Sequence, residues 1–126
     1  MSKPMSDSAL LGLVRIIVAA RAKYACEYPF CGALCFLENH HAESRRHLAV
    51  KFDPDCCVEL CSKHHALAEK NRPALVRKLI ATGIRPEAWA EYLADKKREL
   101  VTDKDELKKR MEFKCRGLLS ELGIKI

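Results

Sequence analysis

The chain has 126 residues, too short for two independent cores; 48% of them are apolar but only 6% aromatic, which suits one core of Leu, Ile, Val and Ala in packed helices better than a β-sandwich. The formal net charge of +6, with a pI near 9.0, favours a polyanionic partner through phosphate neutralisation. Seven cysteines, an odd number with Cys56 and Cys57 adjacent, fit a complete disulfide framework poorly and, clustered with histidine, point to metal ligation in a reducing, cytoplasmic compartment.

Residues 1 to 5 read as a loose end, and Ser6 or Asp7 can cap a helix running to about Lys23, with Leu10, Leu13, Val14, Ile17 and Val18 on one side. The apolar run from Leu10 to Ala20 and the small-residue step Ala20-Arg21-Ala22 imitate a secretion signal. Arg15 interrupts that run, and Asp7 stands where such a signal carries positive charge. The run is also short of the ~20 residues that span a membrane, so an amphipathic structural helix is expected and no membrane partner.

From Tyr24 to about Asp55 the helical period disappears; Pro29 and Gly32 punctuate a tight turn, and Leu34 to Asn39 reads as a short strand. Helical patterns resume from Ser62 to Lys70, from Pro73 to Ala81 with Gly83 as terminator, and from Pro86 to about Leu100. A last helix from Asp103 to Leu122 carries Leu107, Met111, Lys114 or Cys115, Leu118 and Leu122 at helical spacing. The charges of Lys96, Lys97, Arg98, Lys108, Lys109 and Arg110 read as a solvated face. The expected fold is α+β and mostly α, a single domain over residues 1–126.

The histidines and cysteines crowd into the irregular part. Cys26 and Cys31 flank the turn in CEYPFCG, and Cys61 and His64 stand three residues apart, one helical turn, in CSKH. Two such pairs supply the four ligands of a closed tetrahedral zinc site. Cys35, Cys57 and Cys115 are left as small core residues, with Cys35 or Cys57 the substitute ligand. His40, His41 and His65 remain. Adjacent helical residues diverge by about 100°, so His65 faces away from the metal that His64 would hold. These imidazoles are either the bases and ligands of a second, catalytic site or polar surface groups around a structural zinc.

The order CEYPFCG, HHAES and FDPDCCVELCSKHH resembles the HNH, or ββα-metal, endonucleases that carry a zinc-binding treble clef, and SRRHLAVKFDPD is similar to the spacing in small phage recombination nucleases of that superfamily. The resemblance covers residues 24 to 70, with residues 6–23 and 73–122 as flanking helices. It implies that His41 is the general base and that His40 and His65 hold a catalytic divalent metal, Mg2+ or another, which stabilises the phosphate and its leaving oxygen. It further implies a DNA partner, with Arg45, Arg46 and Lys51 on the backbone. Cys56 occupies the position of the family's central Asn, which braces the base-carrying loop; a thiol is a weaker donor and acceptor than an amide. Either Cys56 belongs to the active site, as a redox-sensitive or metal-selecting group, or the site has decayed. The two expectations are thus a metal-dependent DNA endonuclease acting in phage or prophage recombination and a non-catalytic zinc module that binds DNA or protein.

Overall fold

The computed structural model describes residues 3–125; Met1 and Ser2 of the expected loose end lie outside them. The Ser6 hydroxyl accepts the Ala9 N–H and caps α1 (Asp7–Arg21). The helix stops two residues before the expected Lys23 because Lys23 and Tyr24 take left-handed backbone angles, φ 55 and 59. Its stripe of Leu10, Leu13, Val14, Ile17 and Val18 is buried, each side chain worth about 1.5–3 kcal/mol in area removed from water. A charge at Ile17, which has no exposed surface, would be strongly disruptive.

β1 (Leu37–His41) and β2 (Cys57–Cys61) form a two-stranded antiparallel sheet, with Leu37 opposite Cys61 and His41 opposite Cys57. The strand thus begins three residues later than the pattern predicts. Phe36 is left-handed at φ 55, and both Phe36 and Leu34 are exposed before the ladder starts. The connection between the strands holds α2 (Leu48–Lys51) and a single 3-10 turn, Pro54–Cys56, whose first N–H groups are served by Asp53: its Oδ1 accepts the Asp55 N–H at 3.0 Å.

β2 runs straight into α3 (Ser62–Lys70), the expected range. Asn71 then caps α4 (Arg72–Ala81) by accepting the Ala74 N–H. Gly83, at φ 77, turns the chain so that the Ile84 N–H bonds back to Leu79. Pro86 opens a turn rather than a helix, and α5 (Trp89–Arg98) follows it. Asp103 caps α6 (Lys104–Glu121). The described chain is therefore α+β and mostly helical, with six helices and one small sheet. No described helix is long and apolar enough to cross a membrane.

The sheet lies between two apolar clusters. On one side Val58 and Leu60 pack with Leu75, Val76 and Leu79 of α4 and with Trp89 and Leu93 of α5. On the other, Phe52 and Cys57 pack with α1 and with Leu107, Met111, Cys115 and Leu119 of α6. Cys57 and Cys115 are core residues as expected, but Cys35 is exposed, because it precedes the ladder in the same looped segment as Leu34 and Phe36. Fully buried Asp53 ties this layer to the helices: Tyr92 Oη donates to one oxygen and Lys114 Nζ, 2.9 Å away, to the other. Burial and those two donors keep the charge paired, which a buried carboxylate requires.

Candidate metal centres

CEYPFCG folds into a knuckle. The Cys31 N–H bonds to the Tyr28 carbonyl and the Cys26 N–H to Ala33, while Phe30 and Gly32 take φ 66 and 63 to close the loop. α3 starts at the end of β2 and presents Cys61 and His64 to this knuckle. One ligand atom from each of Cys26, Cys31, Cys61 and His64 lies within 4.8 Å of all the others. His64 Nδ1 is 3.3 Å from Cys61 Sγ and 3.7 Å from Cys26 Sγ. A tetrahedral zinc with bonds of about 2.3 Å to sulfur and 2.0–2.1 Å to nitrogen sets such separations at roughly 3.6 Å. The cluster can hold a metal such as zinc. The sulfurs differ: the His64 and Lys63 amide N–H groups at the start of α3 pull the Cys61 thiol down, whereas burial pushes Cys26 up to about 11, so a bound cation would have to displace its proton. Tyr28 stacks flat on the His64 ring, centroids 3.9 Å apart, and fixes its orientation.

A second cluster sits on the opposite side of α3. His40 Nδ1 and His65 Nε2 each lie 3.2 Å from Glu69 Oε1, and the three residues offer ligand atoms within 4.8 Å of one another. Glu69 stands four residues beyond His65 on α3, so the helix repeat brings both to one face. His65 Nδ1–H donates to Glu38 Oε1 at 2.6 Å, which leaves Nε2 facing Glu69. Carboxylates in this outer position orient metal-ligating histidines. His40 is fully buried; apart from the Glu69 oxygen 3.2 Å from Nδ1 its ring meets no polar partner, and Nε2 has none among the described residues. Desolvation lowers its pKa to about 4, so the imidazole is neutral with an unused lone pair. Buried polar atoms without partners are rare, and a metal ion is one of the few things that satisfies a bare imidazole nitrogen.

His41 is placed differently. Strand alternation turns it to the other face of β1, where it lines a groove of about 450 Å3 with Arg15 and Ala19 of α1, Asn39, Arg45 and Glu59. Its Nε2 is 3.0 Å from the Lys51 carbonyl, which can only accept, so Nε2 carries the proton and Nδ1 is the basic nitrogen. Burial lowers its pKa; the Lys51 carbonyl opposes this, and the charges of Arg45, Arg72 and Arg15 add to it. Burial and the charge of Glu27 raise the Glu59 carboxyl in the same groove.

The structure thus brings His40 and His65 together and sets His41 on the reverse face of the same strand end. Glu69 and Glu38 are the functional candidates that sequence reasoning missed. So is Arg72, whose Nη2 donates to Glu69 Oε2 at 2.7 Å and whose Nε donates to the His41 carbonyl at 3.2 Å. The spacing of Glu69 from His65 was a usable signal; nothing in the spacing announced Glu38 or Arg72. Of the three expected phosphate partners, Arg45 lines the His41 groove and Arg46 is exposed, but the Lys51 ammonium is drawn to Asp7, 3.2 Å away. The Cys56 side chain is fully buried in the apolar cluster, and burial pushes its thiol far above the ordinary range, so it is neither a nucleophile nor an accessible redox group. No protein-family model, curated protein or solved structure matches the chain.

Proposed function

We propose that the protein is a divalent-metal-dependent endonuclease of HNH type that hydrolyses DNA phosphodiesters, with a structural zinc on Cys26, Cys31, Cys61 and His64. The observation that carries this reading is His40: a fully buried, neutral imidazole whose Nε2 has no hydrogen-bond partner and whose Nδ1 lies 3.2 Å from Glu69, in one cluster with His65. Two imidazoles and one carboxylate suit a transition-metal dication such as Mn2+ better than Mg2+, which prefers a shell of oxygens. A dication held there would neutralise charge developing on the phosphate and its leaving oxygen. His40, His65 and Glu69 would hold it, and Glu38 would orient His65 through Nδ1. From the other face of the strand end, His41 Nδ1 takes the proton of the attacking water while the Lys51 carbonyl holds the ring. A phosphate crossing the outer edge of β1 lies between the two. The place of such a nuclease in phage or prophage recombination is part of the proposal and rests on the resemblance alone.

A second reading is a zinc module that binds DNA or a protein without cutting. It is favoured by the projection of His40 and His41 to opposite faces, which separates base from ligand. The two readings part on one experiment: incubation of supercoiled plasmid with the purified protein in Mn2+, Mg2+ or EDTA, alongside His41→Ala, His65→Ala and Glu69→Gln. Cleavage that needs metal, falls about two to four orders of magnitude in His41→Ala and is partly restored in Glu69→Gln by raising Mn2+ supports the enzyme. Plasmid left intact under every condition leaves the module.

A further inference from the structure

Among the ten arginines of the chain, six lie within 4 Å of a carboxylate: Arg21, Arg72, Arg85, Arg98, Arg110 and Arg116. Arg15, Arg45, Arg46 and Arg77 have no such partner among the described residues. Two of these four, Arg15 and Arg45, line the same groove, and it is the groove that holds His41. They come from separate elements, Arg15 from the exposed side of α1 and Arg45 from the turn after β1. The carboxylates of the groove do not neutralise them: Glu38 is bonded to His65, and Glu59 reaches neither guanidinium at ion-pair distance. Two arginines without carboxylate partners that line one concave surface offer guanidinium forks, whose planar geometry matches phosphate oxygens.

We propose that Arg15 and Arg45 form a phosphodiester clamp across the His41 groove, so that α1, outside the segment that resembles HNH nucleases, is part of the DNA-binding face. The clamp rests on the nuclease reading for its substrate, DNA, but its binding test does not depend on cleavage. Arg15 from α1 and Arg45 from the turn after β1 would together hold a backbone phosphate over the His41 groove, and such contacts carry no base information.

The test is anisotropy of a labelled DNA duplex against salt concentration, in buffer without added divalent metal, for the wild type, Arg15→Gln, Arg15→Lys, Arg45→Gln and Arg77→Gln. Zinc content and thermal midpoint are checked in each. Arg15→Gln and Arg45→Gln are expected to weaken binding about tenfold at low salt and to lower the salt slope by about one phosphate each. Arg15→Lys should restore the slope, and Arg77→Gln, outside the groove, should match the wild type. Wild-type affinity and slope in folded Arg15→Gln overturns the clamp, as does an equal loss in Arg77→Gln. If the wild type never cleaves plasmid in Mn2+ yet shows the slope changes, the nuclease reading fails and the clamp stands. If it cleaves while Arg15→Gln binds normally, the reverse holds.

Discussion

The Ala42 N–H donates to the Cys56 carbonyl at 2.9 Å, so the residue after His41 is fixed by the backbone of Cys56 and not by its side chain. The main chain thus holds the segment that follows β1 to the start of β2. Replacing Cys56 by Asn is therefore expected to harm the protein rather than to restore a lost function. The larger amide would have to enter the fully buried, close-packed position of Cys56, and each amide group left unpaired there costs about 1–3 kcal/mol. Cys56→Ala should keep the main-chain bond and lose only packing. Urea unfolding of both variants checks this; an Asn variant as stable as the wild type would show that the site has a polar partner.

Arg72 links the Glu69 carboxylate to the carbonyl of His41 and so couples the two sides of β1. Charge-assisted hydrogen bonds are worth about 1.5–3 kcal/mol, and partial exposure of both groups discounts this one to about 1 kcal/mol. Arg72→Ala should thus weaken Mn2+ binding roughly fivefold, by calorimetry of the zinc-loaded protein, without loss of zinc. Unchanged Mn2+ binding would confine Arg72 to a structural role.

The cluster of Cys26, Cys31, Cys61 and His64 is legible because a closed metal site needs two pairs at short spacing, and CEYPFCG with CSKH is that pattern in the chain itself. The divergence of His64 and His65 followed from helix geometry alone. Helix ends at Ser6, Gly83 and Asp103 were legible for the same reason: caps are local chemistry. What could not be read was anything depending on which element faces which. Arg15 looked like an interruption of an apolar stripe, and only the packing of α1 on β1 sets it beside His41. Glu38 and Arg72 acquire partners across the sheet and across a helix start. The strand was misplaced because the left-handed turn at Phe36 leaves no mark in hydropathy.

One equivalent of zinc should copurify with the protein, and a bound zinc should show sulfur distances of about 2.3 Å by X-ray absorption. Cys61→Ala should lose that zinc and the order of the knuckle together, because metal binding and local folding are coupled. Full zinc content in Cys61→Ala would remove it from the ligand set.

His40 and His41 both have pKa values lowered by burial, His40 to about 4. Between that value and the ordinary histidine pKa of about 6.5, the unfolded chain binds protons that the folded one refuses. The contribution is fully present above about pH 6.5 and is lost as the pH falls towards 4. The urea midpoint, measured with zinc occupancy held constant, should drop across that window, and His40→Gln should flatten the slope. A slope unaltered in His40→Gln would mean that the folded imidazole is already protonated there.

The two-stranded sheet works as a partition. The compartment behind it, filled by α3, α4 and α5, is sealed at one end by the cysteine knuckle, whereas the compartment in front is closed by α1 against α6 and by Asp7, which receives Lys104 at 3.1 Å and Lys108 at 2.9 Å. The two draw on different long helices. If the knuckle holds a metal as proposed, its extraction should not dissolve the molecule in one step: amide hydrogens of α3 and α4 should begin to exchange rapidly while those of α1 and α6 stay protected. The chain's beginning and end would then persist as a paired scaffold on which the metal-binding half can refold.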